Sequence, residues 1–244
     1  MFNLTKKFYA HLQNGTVLYV LSNKLRKWGK FRKRIMQLTP ATYRLRYKQY
    51  FGVNAANYLA KREHTEGWKQ QHKTVVELLD QLPRDIKVLD VPVGTGRFLG
   101  EYVNRGYKVF GIDISEDMIK QADVNGRGLE NVHLQIGDAR KLPYKEKFFD
   151  LSVSYKFLGY IPPLKDAIII LKEIHRVTKT WAILDLQARS NQLPKGNIPK
   201  MGHKQYMNEV MTMLEEIGFV VVETRDVHKH KNGVTNFTVF CKVS

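Results

Sequence analysis

From residue 87 onward the sequence predicts an α/β fold, a mostly parallel sheet with helices on both of its faces. Two observations carry this reading. Short apolar runs of strand length alternate with stretches of helical periodicity. The first of those runs, Val88-Leu89-Asp90-Val91, leads into a glycine-rich turn that opens a helix.

The elements follow in order. Residues 87–91 read as strand one and 98–104 as a helix; 108–112 read as strand two. Residues 116–123 are helical, with Ser115 as N-cap and Glu116 and Asp117 in the first turn, where the helix dipole favours acids. Strands three and four fall at 132–136 and 150–154, a helix at 165–177 and strand five at 181–186. Residues 187–204 read as a Pro/Gly/Lys loop. A helix at 206–217 is closed by Gly218, and strands follow at 219–223 and 234–242. Upstream, helices are expected at about 16–40, 42–61 and 68–81.

Charge divides the chain. The formal net charge is +17, but residues 1–62 hold 14 Lys/Arg and no Asp or Glu, while residues 63–244 hold 26 Lys/Arg against 23 Asp/Glu. The expected organisation is a basic helical extension, 1–62, and an α/β domain, 63–244. Within the extension, Leu18, Leu21, Leu25, Trp28 and Ile35 recur at helical spacing, and Lys24, Lys27, Lys30 and Arg34 fall largely beside that stripe. A helix lying on an anionic membrane surface has this pattern, and so does a helix packing on the domain or on a second subunit. Lipid headgroups, nucleic acid or an acidic protein would each satisfy the charge.

The single cysteine, Cys241, excludes an intrachain disulfide and a Cys-based zinc site, and no metal site is expected. No apolar run approaches the ~18 residues of a membrane span. His11, Gln13 and Asn14 interrupt any secretory h-region, so the expected setting is cytoplasmic, peripheral to a membrane if the arm binds one.

The chemistry concentrates after strand one, in Pro92-Val93-Gly94-Thr95-Gly96-Arg97. Gly94 and Gly96 let backbone approach a ligand, and the next helix offers free N–H groups. The glycines 94, 96 and 100 are spaced G-x-G-x-x-x-G, unlike the G-x-G-x-x-G of dinucleotide sites. Asp113 ends strand two, where an acid can accept ribose hydroxyls. Asp138 ends strand three beside the same crevice.

Taken together, V-L-D-x-x-x-G-T-G from Val88, G-x-D-x-S-x-x-M-I from Gly111, G-D-A-x-x-L-P-Y from Gly137, F-D at Phe149 and E-x-H-R-V from Glu173 resemble class I S-adenosylmethionine-dependent methyltransferases. The likeness is to the branch similar to ubiquinone/menaquinone-biosynthesis enzymes. It implies a Rossmann-like, seven-stranded doubly wound sheet of order 3-2-1-4-5-7-6 with the last strand antiparallel. It implies S-adenosyl-L-methionine as cofactor, with Gly94 and Gly96 flanking the methionine part and Asp90 near its amino group. Asp113 would take the ribose, Ile114 or Met118 would pack on adenine, and Asp138 with the Ala139 backbone would read the adenine edge. Two departures stand out. Pro92 replaces a glycine, and Thr178-Lys179-Thr180-Trp181 replaces a Lys-Pro-Gly-Gly turn.

Methyl transfer is an in-line displacement that positioning alone can accelerate strongly, so no catalytic motif is obligatory. Residues after strands four and five should line the acceptor side. These are Tyr155, Lys156 and Tyr160, and Gln187, Arg189 and His203, with His203 and Tyr155 as candidate catalytic groups. The acceptor expected is a small molecule, lipid or glycolipid. An RNA- or protein-directed enzyme using the arm as a polyanion clamp and a non-catalytic cofactor-binding module are the alternatives. Ser154-Tyr155-Lys156-Phe157 lacks the Asn/Asp-Pro-Pro-aromatic loop of nucleobase methylases, which counts against nucleic acid.

Overall fold

The computed structural model describes residues 57–58, 61–160, 164–189, 207–229 and 233–244. The chain divides into two units, Met1–Leu45 and Arg46–Ser244, and the described residues all belong to the second. The basic arm, the helices expected at 16–40 and over most of 42–61, and His203 lie outside the described residues.

Seven strands form one sheet of order β3-β2-β1-β4-β5-β7-β6. They are β1 (Lys87–Asp90), β2 (Lys108–Asp113), β3 (Val132–Ile136), β4 (Phe149–Ser154), β5 (Thr178–Arg189), β6 (Phe219–Lys229) and β7 (Val234–Val243). β1 to β5 pair in parallel, and β7 runs antiparallel to both β5 and β6. The helices are α1 (Glu66–Leu79), α2 (Leu99–Val103), α3 (Glu116–Asn125), α4 (Leu164–Val177) and α5 (Met207–Ile217). A short 3-10 turn spans Leu158–Tyr160.

Two apolar clusters fix which helices cover which face. On one face Val88, Val109, Leu151, Val153, Ile183 and Phe240 pack with Val75, Leu78 and Leu79 of α1, Leu99 and Tyr102 of α2 and Ala122 of α3. On the other, Leu89, Ile112, Leu184 and Val239 pack with Ile170, Leu171 and Ile174 of α4 and Val210 and Leu214 of α5. Alternation along each strand sends neighbours to opposite faces, so a strand buried on both faces reads as a continuous apolar run. The edge strand β6 instead alternates and carries Glu223, Arg225, Asp226 and Lys229, charges that discourage edge pairing.

Helix starts follow their caps. Thr65 accepts the Trp68 N–H at 3.3 Å, and the Ser115 hydroxyl accepts the Met118 N–H at 3.2 Å. The helix expected at 68–81 therefore begins two residues earlier.

β5 corrects the sequence reading. It was expected at 181–186 with a loop beyond, but it starts at Thr178 directly from α4 and runs to Arg189, paired with β7 as far as Val234. Gln187 and Arg189 are thus strand residues. The long β7 ladder extends the strand at its far end. At its near end, the Thr178 hydroxyl meets the Ile174 carbonyl and the Ser152 hydroxyl. A side chain thereby satisfies a helix-terminal carbonyl.

The E-x-H-R-V run is a brace. Arg176 donates to the carbonyls of Tyr144 (2.8 Å) and Leu142 (3.1 Å) and to both carboxylate oxygens of Glu173 (2.8 Å each). Glu173 in turn accepts the Leu142 N–H at 2.8 Å. Arg176→Ala should cost ~1–3 kcal/mol in urea denaturation, because it strands these acceptors. Arg176→Lys should recover only part, since an ammonium lacks the planar fork.

Candidate active site

The site is built where β1 turns into α2. The Val91 N–H donates to Val153 O of β4 (2.9 Å) and the Val93 N–H to Ile112 O of β2 (2.8 Å). Pro92, which has no N–H to donate, sits between these two donors and leaves the clamp intact.

The two glycines of the turn differ in purpose. Both have positive φ, +57° at Gly94 and +79° at Gly96, which L side chains rarely adopt. A Cβ at Gly94 would meet nothing within 4 Å, whereas one at Gly96 would lie 2.6 Å from Leu99 Cδ1 and 3.2 Å from Ala122 Cα. Gly94 leaves open space over the backbone, where a ligand can approach. Gly96 is closed off and instead lets the loop pack on α2 and α3.

Asp113 holds the loop. Its carboxylate accepts the Gly94 N–H at 3.0 Å and the Ser115 N–H at 2.8 Å, tying the end of β2 to the turn after β1. A carboxylate has about four acceptor positions, so ribose hydroxyls can still donate to it. Burial pushes its pKa up to about 6, against the lowering effect of those N–H groups.

Asp90 lies deeper, 2% exposed, and accepts the Tyr102 hydroxyl at 3.3 Å. Burial raises it to about 8, Tyr102 opposes the rise, and the nearby Asp113 adds to it. A cation beside this carboxylate favours its charged form. Asp90 and Asp113 thus suit a ligand with ammonium and sulfonium charges and a ribose, and the residues present fit S-adenosylmethionine.

At the adenine end, Ile114 is 40% exposed while Met118 is 1% exposed and turned into the core. Of the two expected adenine contacts, only Ile114 presents apolar surface. Ala139 is buried among core residues. The Asp138 carboxylate is forked by its neighbour, with Arg140 Nε at 3.1 and 3.0 Å from the two oxygens and Nη2 at 2.6 Å from one. An adenine amino group would share that carboxylate with Arg140.

On the acceptor side, the Tyr155 hydroxyl and Thr238 Oγ1 are 3.1 Å apart. Lys156 adopts φ +56°, and its N–H donates to Asp185 Oδ2 at 3.1 Å. Gln187 is buried beneath Gly159, where a Cβ would lie 2.6 Å from Gln187 Cγ. Arg189 ends β5. Tyr160 closes the 3-10 turn.

Three residues absent from the sequence reading complete the site. Tyr102 partners Asp90. Arg97 stacks its guanidinium on Trp68 (3.6 Å to the ring centroid), donates to the Trp68 carbonyl at 2.5 Å and approaches Gln71 Oε1 at 3.4 Å. Burial lowers Arg97 to about 10, and Tyr155, Tyr58, Asp185 and Asp90 oppose that shift. Trp68 of α1 is thus the platform for an arginine of the glycine loop. The third, Asp185, is fully buried in β5. Its signal in the sequence was a charge inside the apolar run Ala182-Ile183-Leu184-Asp185-Leu186. Arg97 was flagged only by its place after the glycines, and Tyr102 by nothing local.

Among the described residues, no cluster of His, Cys, Asp and Glu has the form of a metal site. Burial pushes the Cys241 thiol up to about 12, far from the reactive range.

This glycine turn, with its acids at the ends of β1 and β2 and its 3-2-1-4-5-7-6 sheet, defines a cofactor-binding α/β domain. Residues 88–180 match the family model of a methyltransferase domain, and this stretch is similar in sequence to methyltransferases of menaquinone biosynthesis. Demethylmenaquinone methyltransferase of Geobacillus stearothermophilus is 41% identical over 103 residues, 40% of this chain and 42% of that one. The Staphylococcus carnosus demethylmenaquinone methyltransferase is 30% identical over 142 residues, 56% of each chain. These matches therefore span about half the length of the relatives. Magnesium protoporphyrin IX methyltransferase from Synechocystis PCC 6803, solved with bound S-adenosylmethionine, shares the fold. Its TM-score is 0.64 at 17% identity, over 84% of this chain and 98% of that one.

The raised proton affinity of Asp90 has a stability consequence. An acid that binds its proton more tightly when folded stabilises the fold at low pH, and that contribution is lost as pH rises through the folded value. Relative to Asp90→Asn, the ligand-free protein should gain stability as pH falls from about 8 towards 4. Each tenfold change in proton affinity is worth ~1.4 kcal/mol, and each kcal/mol ~2–4 °C of melting temperature in a chain this size. Thermal melts should therefore separate by several degrees; parallel pH profiles would count against this reading.

Proposed function

We propose that the chain transfers a methyl group from S-adenosylmethionine to a small, apolar or lipid-like acceptor. The observation that carries this is the pairing of two sites on one face of the sheet. Asp90, Asp113 and the open side of Gly94 lie at the ends of β1 and β2, Tyr155 and Lys156 follow the end of β4, and Asp185 lies within β5 one residue past the partner of Ser154. The first set suits the cofactor and the second faces whatever is methylated.

The cofactor supplies a methyl group on a positively charged sulfur. The protein supplies position. Asp113 accepts from the ribose hydroxyls while keeping the glycine turn in shape, and Ile114 covers the adenine. Asp90 holds the ammonium end. Arg97 ties Trp68 and Gln71 of α1 to the turn, which holds that helix beside the site.

The relatives named as demethylmenaquinone methyltransferases support a quinone-like, membrane-soluble acceptor. The arm supports delivery at a membrane surface. Residues 1–40 combine basic residues with the stripe of Leu18, Leu21, Leu25, Trp28 and Ile35. Among the described residues, no helix is long and apolar enough to cross a membrane, so the attachment proposed is peripheral. Each basic residue near an anionic surface contributes ~1 kcal/mol. The same charges support a second reading, a polyanion clamp for RNA or protein. Salt separates the two, because phosphate binding falls steeply with salt while apolar insertion persists.

Three measurements test the proposal. Calorimetry should show binding of S-adenosylmethionine and none of NAD, with Asp113→Ala weakening it by ~1–3 kcal/mol. Labelled cofactor incubated with a cell extract should deliver its methyl group to the lipid or small-molecule pool; label confined to RNA or protein would select the second reading. Full-length protein should float with anionic vesicles at moderate salt, and Trp28→Ala should reduce that flotation.

A further inference from the structure

Among the described residues, the buried side-chain polar atoms that lack a hydrogen-bond partner are concentrated. Arg97 Nε, Ser154 Oγ, Asp185 Oδ1 and Arg189 Nε lie in the loop after β1 or towards the C-terminal ends of β4 and β5; only His175 Nε2 lies elsewhere. A buried polar atom without a partner is costly, and such atoms persist where function uses them. Asp185 is the most expensive, since it is a carboxylate with no exposed surface inside a β-strand.

Its surroundings are built for one task. Oδ2 is occupied by the Lys156 N–H at 3.1 Å, which requires Lys156 to hold φ +56°. A non-glycine residue in that conformation marks a local geometry that the rest of the structure enforces. Oδ1 is left over. Asp185 shares its face of the sheet with Ile183 and with its β7 neighbour Thr238, which the Tyr155 hydroxyl contacts. The charged groups facing it are Lys156 and Arg97. Arg225 of β6, beyond Thr238, is engaged by Glu77 and Glu223.

Register places this oxygen relative to the cofactor side. Asp90 pairs with Val153 and Val153 with Ile183, so Asp185 lies two strands across and one side-chain step beyond Asp90. On ordinary sheet spacings that is roughly 12 Å. Arg97 is near enough to both carboxylates to favour the charged form of each. The separation suits a group serving the acceptor.

We propose that Asp185 is the proton acceptor of the methyl-acceptor site, and that the acceptor presents to Oδ1 an acidic hydroxyl of the phenol or enol class. This rests on the methyltransferase reading. Asp185 takes the hydroxyl proton on Oδ1, and the electron pair left on the acceptor forms the new bond to the methyl carbon. The carbon–sulfur bond breaks with its pair staying on sulfur, and the proton leaves later to solvent. Lys156 holds the other oxygen so that Oδ1 faces the acceptor.

The test uses full-length protein and 4-nitrophenol, whose colour reports its ionisation. Wild-type protein should bind the phenol and raise the ionised fraction of bound probe. Its affinity for the neutral phenol should increase as pH rises through about 6, where burial sets the Asp185 carboxyl. Asp185→Asn should weaken the probe roughly 10- to 100-fold, the loss of a hydrogen bond to a charged group, and abolish the ionisation change, while S-adenosylmethionine still binds by calorimetry. Should Asp185→Asn fail to fold, Asp185→Glu, which keeps the charge but moves the accepting oxygen, is measured in its place and should lose the ionisation change. A profile flat across that range, or equal probe behaviour in the two proteins with cofactor binding intact, overturns this proposal alone. A wild-type protein that binds no S-adenosylmethionine overturns the methyltransferase reading and this inference with it.

Discussion

One carboxylate organises this end of the molecule. Asp113 accepts N–H groups from both the turn after β1 and the turn after β2, so two neighbouring strand ends share one anchor. The glycine turn takes its shape from that anchor, and the turn carries Arg97. Arg97 in turn grips Trp68 and Gln71 of α1. A helix that begins twenty residues before the first strand is therefore positioned through a chain of contacts starting at a strand-end acid. The β-sheet supplies the rigid floor, and Asp113 transmits that rigidity to parts with no strand of their own.

The site also gathers more buried carboxyl groups than buried cations to pair with them. Asp90, Asp113 and Asp185 all lie on the face covered by α1, α2 and α3, and Arg97 is the buried cation near them. Each carboxyl is held above its usual range by burial. Such a site prefers a cationic ligand, and a sulfonium compound with an ammonium group meets that preference. The preference comes from desolvation and not from a dedicated ion pair, so it depends on the helices that keep water out.

Much of the fold was legible in the sequence because the signals were local. Ser115 with Glu116 and Asp117 announced α3, Gly218 ended α5, and the apolar runs at 88, 109 and 151 announced central strands. The strand-end placement of Asp90 and Asp113 and the glycine turn between them were legible for the same reason, since they sit at the ends of such runs. The misses depend on distant partners. β5 continues past 186 only because β7, some fifty residues later, pairs with it. Gly96 serves packing because Ala122 sits against it. Met118 turns inward because the core beneath α3 accepts it. Arg97 and Trp68 meet across the fold, and no periodicity links them.

The direct passage of α4 into β5 has a consequence for how this chain tolerates change. With no residue between the end of α4 at Val177 and the start of β5 at Thr178, the first residue of the strand is fixed by the helix before it, pinned where the Thr178 hydroxyl meets the Ile174 carbonyl. Side chains alternate along β5, so which side of the sheet Asp185 occupies is a matter of odd or even count from that pin. One residue inserted or lost between Thr178 and Asp185, if the strand slid to absorb it, would move the carboxylate to the α4–α5 side and bring a leucine to the cleft. Variation in length is thus confined to the far end of β5, and the reactive face of the sheet is protected by parity.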